Sequence, residues 1–215
     1  MYQAVIFDLD GTVLYTLQDL CNAVNYALIK HEMKEESLDS VREKVGKGKY
    51  VLMDRVLHLP RESELYQQIM KEYDDYYAEH CTVETKPYPG MEDLLIELKN
   101  KGIILGIITN KSDNHAHKII EYYYSGLFDE IVGGDNGAKS KPDPTSLNQM
   151  IEKFHLDKRD VLYVGDSDVD VKTGRNANVD VCAVTWGFRS EESLKAEQPD
   201  YLIHTAKELE EIVLC

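Results

Sequence analysis

The sequence predicts an α/β fold: a parallel sheet flanked by helices, with an all-helical piece inserted close to its first strand. Three observations carry that prediction. From residue 86 onward, short apolar runs of strand length alternate with amphipathic helices, the pattern of parallel strands joined by helical crossovers. Residues 17 to about 80 show helical periodicity and no convincing strand. A chain of 215 residues, 43% hydrophobic, has the length for one large domain or for a domain carrying an insertion, and enough apolar mass for a core.

The first element is Ala4 to Phe7, a short apolar and partly β-branched run of the kind buried on both faces of a sheet. In the insertion, Leu17, Leu20, Val24, Ala27 and Leu28 follow one helical stripe; Leu65, Ile69, Tyr73, Tyr76 and Tyr77 follow another. The tyrosine stripe either packs helices or lines a cavity. Lys86-Pro87-Tyr88-Pro89-Gly90 punctuates the return. Met91, Leu94, Leu95 and Leu98 then share a helical face closed by Gly102, and Ile103 to Thr109 is a strand. Ile119, Ile120 and Tyr123 mark a helix, Glu130 to Val132 a short strand. Leu147, Met150, Ile151 and Phe154 mark a helix introduced by Asp143-Pro144. Val161 to Gly165, Asp180 to Thr185 and Tyr201 to Ile203 are further strands, and Thr205 with Glu208 forms a capping box for a last helix. The division is a Rossmann-like core, residues 1–14 and 84–215, and a helical cap, residues 15–83. An all-helical piece inserted just behind the first strand is placed to act as a lid.

Thirty-nine acidic residues against 24 basic ones give a formal charge of −15, which opposes association with nucleic acid or anionic membranes through a general field. An anionic substrate must therefore be captured locally. Cys21, Cys81, Cys182 and Cys215 are scattered without C-x-x-C pairing, and the seven histidines form no ligand pattern with them, so four reduced thiols in a cytoplasmic protein are expected. No basic, then apolar, leader opens the sequence, and the apolar stretch from Gly102 to Ile108 is too short to span a bilayer. No feature assigns an oligomeric state.

The chemistry starts at Asp8-Leu9-Asp10-Gly11-Thr12, where two carboxylates leave the first strand. Parallel sheets gather their ligands at this end. Asp8 is the candidate nucleophile, since a carboxylate attacking phosphorus forms an aspartyl-phosphate and splits one hard displacement into two easier ones. Asp10, two residues on and on the same side of an extended chain, is the candidate acid and base for the leaving oxygen and then for water. The rival reading, a calcium loop of the EF-hand type, needs glycine at its sixth position and glutamate at its twelfth. From Asp8 these are Val13 and Asp19; from Asp166 they are Val171 and Ala177. The spacing excludes it twice.

Three more polar clusters follow strands. Thr109 and Asn110 offer a hydroxyl and an amide suited to phosphate oxygens, or to an ordinary helix N-cap. Lys141-Pro142-Asp143-Pro144 holds an ammonium on a stiff loop. Gly165-Asp166-Ser167-Asp168-Val169-Asp170 puts carboxylates where a hard cation binds, or where a helix is capped.

In this order the four clusters resemble the motifs of the haloacid dehalogenase-like hydrolase superfamily: D-x-D-G-T, a strand-terminal Ser or Thr, a Lys, and G-D-x-x-x-D. The resemblance covers nearly the whole chain. Within it the sequence is similar to the phosphoglycolate phosphatase group, through the helical insertion after the first motif, Tyr88-Pro89-Gly90, Thr109-Asn110-Lys111 and Lys141-Pro142-Asp143-Pro144. The resemblance implies Asp8 as nucleophile, Asp10 as acid and base, and Thr109, Asn110 and Lys141 as phosphate ligands. It also implies Mg²⁺ held by Asp8, the Asp10 carbonyl and Asp166, with Asp170 close by. Asp10 implies phosphate esters or anhydrides, because dehalogenases and phosphonate-cleaving members lack an aspartate there. One departure is Val13-Leu14-Tyr15-Thr16, where relatives commonly continue L-x-D-S at the cap hinge.

Charge arithmetic also calls for a cation. Two unit charges 4 Å apart cost about 4 kcal/mol at an effective dielectric near 20, and Lys141 alone does not balance Asp8, Asp10, Asp166, Asp170 and an incoming phosphate. In the cap, five cations between Val41 and Arg55 outnumber two carboxylates, a local +3. Gly46-Lys47-Gly48 is placed to close over an anionic substrate, with Lys47 meeting its second acidic end. The expected function is magnesium-dependent hydrolysis of a small phosphomonoester, phosphoglycolate first, through an aspartyl-phosphate. Inorganic pyrophosphatase, sugar phosphomutase and a non-catalytic phosphate-binding protein are the alternatives, the last opposed by the intact Asp8 and Asp10.

Overall fold

The computed structural model describes residues 1–135, 137 and 139–215. Strand β1 is Ala4–Phe7, all four residues buried. Val5 and Phe7 enter the apolar cluster on one face of the sheet, Ala4 and Ile6 the cluster on the other, as period-two alternation requires. Then come β2 (Leu14–Tyr15) and four helices, α1 (Leu17–Lys30), α2 (Leu38–Lys44), α3 (Lys49–Leu57) and α4 (Glu64–His80). β3 (Lys86–Pro87) returns antiparallel beside β2, Leu14 opposite Pro87 and Tyr15 opposite Lys86. The alternation that follows is α5 (Met91–Asn100), β4 (Ile104–Ile108), α6 (Asp113–Tyr124), β5 (Glu130–Val132), α7 (Thr145–Lys153) and β6 (Val161–Gly165). It ends with α8 (Asp168–Ala177), β7 (Asp180–Val184), α9 (Glu191–Ala196), β8 (Tyr201–Ile203) and α10 (Ala206–Leu214).

Six strands form one parallel sheet in the order β5-β4-β1-β6-β7-β8, with helices between successive strands. The core is the expected Rossmann-like α/β arrangement. β1 lies between β4 and β6, where the strand order reverses, and the crevice beyond the carboxyl ends at such a point is where ligands collect. Register decides what meets there. Phe7 is opposite Ile107 on one side and Val164 on the other, so Asp8, Thr109 and Asp166 leave neighbouring strands almost level.

Helices α1 to α4 lie between β2 and β3, with α1 packed chiefly along α4. One apolar cluster runs unbroken from Phe7 and Leu105 under the sheet to Val24, Leu52 and Tyr73 in these helices. Helices α2 and α3, seven and nine residues long, are too short to show a periodicity and were not anticipated; nor was the β2–β3 pair. The buried Asp19 ties the start of α1 to the returning chain, accepting from the Glu84 N–H at 3.0 and 3.1 Å and from the Thr85 N–H at 2.9 Å. The cysteines are free, three buried and Cys215 exposed. Among the described residues, no helix is long and apolar enough to cross a membrane.

Candidate active site

Asp8 leaves β1 buried and accepts a hydrogen bond from Lys141 Nζ at 2.7 Å; the same ammonium donates to Asp170 Oδ1 at 2.7 Å. Asp170, in the first turn of α8, is held from behind by the Ser167 N–H at 3.1 Å and the Ser167 hydroxyl at 2.5 Å, both on Oδ2. Burial pushes the Asp8 carboxyl up; Lys141 opposes the rise while Asp170 and Asp10 add to it, leaving it at about 7. Burial disfavours the charge on Lys141, but the carboxylates of Asp170 and Asp8 outweigh it and hold the ammonium well above its ordinary range.

Asp10 has partners of its own. Its Oδ1 accepts from the Thr16 hydroxyl at 2.5 Å and stands 3.1 Å from Lys111 Nζ. Thr16 precedes α1 at its N-cap without a side-chain bond to the helix backbone, and its hydroxyl donates to Asp10 instead. Lys111 is a site residue to which the sequence reading gave no role. Its only signal was its place directly after Thr109-Asn110. Thr109 is buried at the end of β4; its oxygen accepts from the Lys111 N–H at 3.2 Å, which leaves its own O–H to donate.

Asp8, Asp166 and Asp170 each offer an oxygen, and these atoms lie within 4.8 Å of one another, all from buried residues. Asp166 accepts from the Phe188 N–H at 2.6 Å and, among the described residues, forms no ion pair with a cation. Burial first, then Asp170 and Asp8, push its carboxyl well up. Gly11 clears the approach: with φ at +87°, a Cβ there would sit 2.3 Å from Asp166 Oδ2. Three hard, negatively charged oxygens with one lysine between two of them fit a small divalent cation.

The cavity over these groups encloses about 670 Å³, its mouth included. Asp8, Asp10, Thr109 and Lys111 form its sheet side; Leu20, Leu52, Tyr73 and Tyr77 come from the helices above. The tyrosine stripe therefore divides. Tyr73 and Tyr77 line the cavity, whereas Tyr76 stacks on Tyr26 at 4.2 Å and Leu65 is exposed.

Two expected ligands are placed differently. Lys47 is exposed and outside the cavity lining; Gly46, Gly48 and Lys49 line it instead, and the Lys49 ammonium is taken by Asp74 at 2.7 Å. The local +3 is largely neutralised, since Arg42 pairs with Asp39 and Lys44 with Glu36. Asn110 lines the cavity, but its side chain is spent on backbone. Nδ2 donates to Gly46 O at 3.0 Å and Lys141 O at 3.3 Å, and Oδ1 accepts from the Lys141 N–H at 2.9 Å. It braces Lys141 and touches the loop above, which leaves its amide no donor for a phosphate.

Residues 5–184 match the family model described as haloacid dehalogenase-like hydrolase. The chain belongs to that family. A phosphoglycolate phosphatase of Aquifex aeolicus is 30% identical to this hydrolase over 96% of the chain and 94% of the relative. One from Vibrio cholerae is 32% identical over 98% and 96%. The crystal structure of a predicted phosphoglycolate phosphatase from Haemophilus somnus shares the hydrolase's fold with a TM-score of 0.93 at 27% identity, over 98% of this chain and 97% of that one. The hydrolase falls in the phosphoglycolate phosphatase-like group, as its helical insertion and the segments at Tyr88, Thr109 and Lys141 implied.

Proposed function

We propose that this hydrolase is a magnesium-dependent phosphatase of small phosphomonoesters, phosphoglycolate foremost, acting through an aspartyl-phosphate on Asp8. One observation carries the reading: Asp8 and Asp10 leave the same strand into one cavity, each held by a different lysine. One carboxylate is thereby oriented for attack and the other for proton transfer.

In the first step an Asp8 oxygen attacks phosphorus, and the bond from phosphorus to the leaving oxygen breaks. The electron pair stays on that oxygen, which takes the proton of Asp10 and departs as an alcohol. Water then attacks the phosphorus of the acyl phosphate and gives a proton to Asp10. Phosphate leaves and the Asp8 carboxylate is restored. Lys141 and the Thr109 hydroxyl hold phosphate oxygens, while Asn110 keeps the Lys141 backbone in place. Asp8, Asp166 and the Asp10 carbonyl would hold the magnesium ion, with Asp170 beside it; when bound, the ion neutralises the charge that develops in transfer.

In this reading α1 to α4, residues 15–83, are a cap over a core of residues 1–14 and 84–215, and the enzyme works in the cytoplasm, a location with which its free thiols agree. Phosphate release from phosphoglycolate, other small esters and pyrophosphate, with Mg²⁺ and with a chelator, tests it. Metal-dependent turnover of esters is expected, and Asp8→Asn should lower kcat by about 10³-fold or more. Full activity in Asp8→Asn, or turnover of pyrophosphate alone, would refute it.

A further inference from the structure

We propose that Lys111 is a specificity-determining contact for the leaving group: its ammonium receives a carboxylate carried on the carbon that bears the leaving oxygen. The preferred substrates are then phosphate monoesters of 2-hydroxycarboxylates. The proposal rests on the phosphatase reading and adds to it a residue and a chemical reason for the substrate class.

The Lys111 side chain is only 4% exposed, yet the residue lines the cavity. Its Nζ lies 3.1 Å from Asp10 Oδ1, donates to the Tyr77 hydroxyl at 2.7 Å and stands 4.7 Å from the centre of the Tyr77 ring. A lysine ammonium has three donors. One is given to Tyr77 and the charge is paired with Asp10, and among the described residues the ammonium has no further partner. A buried charge with a spare donor in a cavity wall favours a ligand that brings an acceptor, most of all an anionic one.

Its position selects what that acceptor is attached to. Asp10 delivers its proton to the leaving oxygen, so a group in contact with the Asp10 carboxylate is close to the first atoms beyond that oxygen. A carboxylate on the adjoining carbon is within reach of Lys111; a methyl in its place leaves the ammonium unanswered. The other cations in the cavity wall or behind it are engaged elsewhere. Lys141 spans Asp8 and Asp170, Lys49 pairs with Asp74, and Arg189 donates to the carbonyls of Arg42 and Val45 at 2.8 and 2.7 Å. Tyr77 belongs to α4, so the helices above the sheet help set where the ammonium stands.

The test compares kcat/KM for phosphoglycolate and for ethyl phosphate, which carries a methyl where the other has a carboxylate, in the presence of Mg²⁺. The wild-type protein should favour phosphoglycolate by at least about tenfold. Lys111→Met should remove most of that preference, lowering kcat/KM for phosphoglycolate at least about tenfold more than for ethyl phosphate, while Lys111→Arg retains part of it. Thermal melts verify that the variants fold, and Lys111→Gln replaces the methionine variant if it does not. An equal fall on both substrates would show that Lys111 serves Asp10 alone and would overturn the proposal. So would no preference in the wild type, or a preference erased by Lys49→Met and kept in Lys111→Met. Turnover of ethyl phosphate by the wild type keeps this outcome separate from failure of the phosphatase reading, under which neither ester is hydrolysed.

Discussion

The proposed mechanism asks the Asp8 carboxyl to be buried and reactive at once. Burial, with Asp170 and Asp10 adding to it against Lys141, raises the group from 3.8 to about 7. Between those values the folded state holds more protons than the unfolded one, so stability falls as pH rises through that window. A cation held by Asp8 and Asp166, as proposed, would reverse the effect by binding the ionised folded form. Thermal melts of the chelator-treated protein should therefore show lower stability at about pH 7.5 than at about pH 5, with Mg²⁺ raising the midpoint more at the higher pH. Equal shifts at both pH values would contradict the assignment. Tyr15, three residues after the first motif, packs edge-on against Tyr88 at 6.4 Å and Phe188 at 6.2 Å. Its ring belongs to the joint between β2, the returning chain and the cavity rim.

Among the elements, the joint at β2 and β3 depends on a single carboxylate. Asp19 answers two backbone N–H groups of the returning chain, and that of Thr85 would otherwise be left without an acceptor in a buried place. Asp19→Ala should cost about 1–3 kcal/mol in denaturant unfolding, and Asp19→Asn, which keeps one acceptor oxygen, should cost less. A neutral Asp19→Ala would show that β2–β3 and the helical packing suffice. The long elements were legible in the sequence because burial on one or two faces writes a period into the chain. Met91, Leu94, Leu95 and Leu98 are indeed the buried face of α5, and Ile104–Ile108 falls within the expected strand. Helices α2 and α3 were not, since a helix of two turns buries too few residues to repeat a pattern.

Across the whole molecule, the helices above the sheet are clasped to it by polar contacts around the cavity. Asn110 donates to Gly46 O, and Arg189 donates to the Arg42 and Val45 carbonyls at the end of α2. Both donors come from loops beyond the sheet, and all three acceptors are backbone carbonyls. Arg189→Ala should loosen this clasp and raise KM about threefold to tenfold, by a similar factor for phosphoglycolate and ethyl phosphate, with a smaller change in kcat. A KM that does not move would show that closure relies on the apolar contacts alone. Lys111 with Tyr77 is a third polar contact between the two layers, and it reaches Asp10 directly.

Sequence alone determined the α/β alternation, the helical insertion behind β1 and the order of Asp8, Asp10, Thr109, Lys141, Asp166 and Asp170. Each of these is written locally, as a period of burial or as polar residues at the exit of an apolar strand. Tertiary structure alone decided that Lys111 stands at Asp10, that Asn110 is a brace, and that Lys49 rather than Lys47 lines the cavity. Those outcomes depend on which side chains meet across the sheet end and the helices above it, and such distances join residues far apart in the chain. Lys111 and Tyr77, or Asn110 and Gly46, leave no trace of each other in spacing or periodicity.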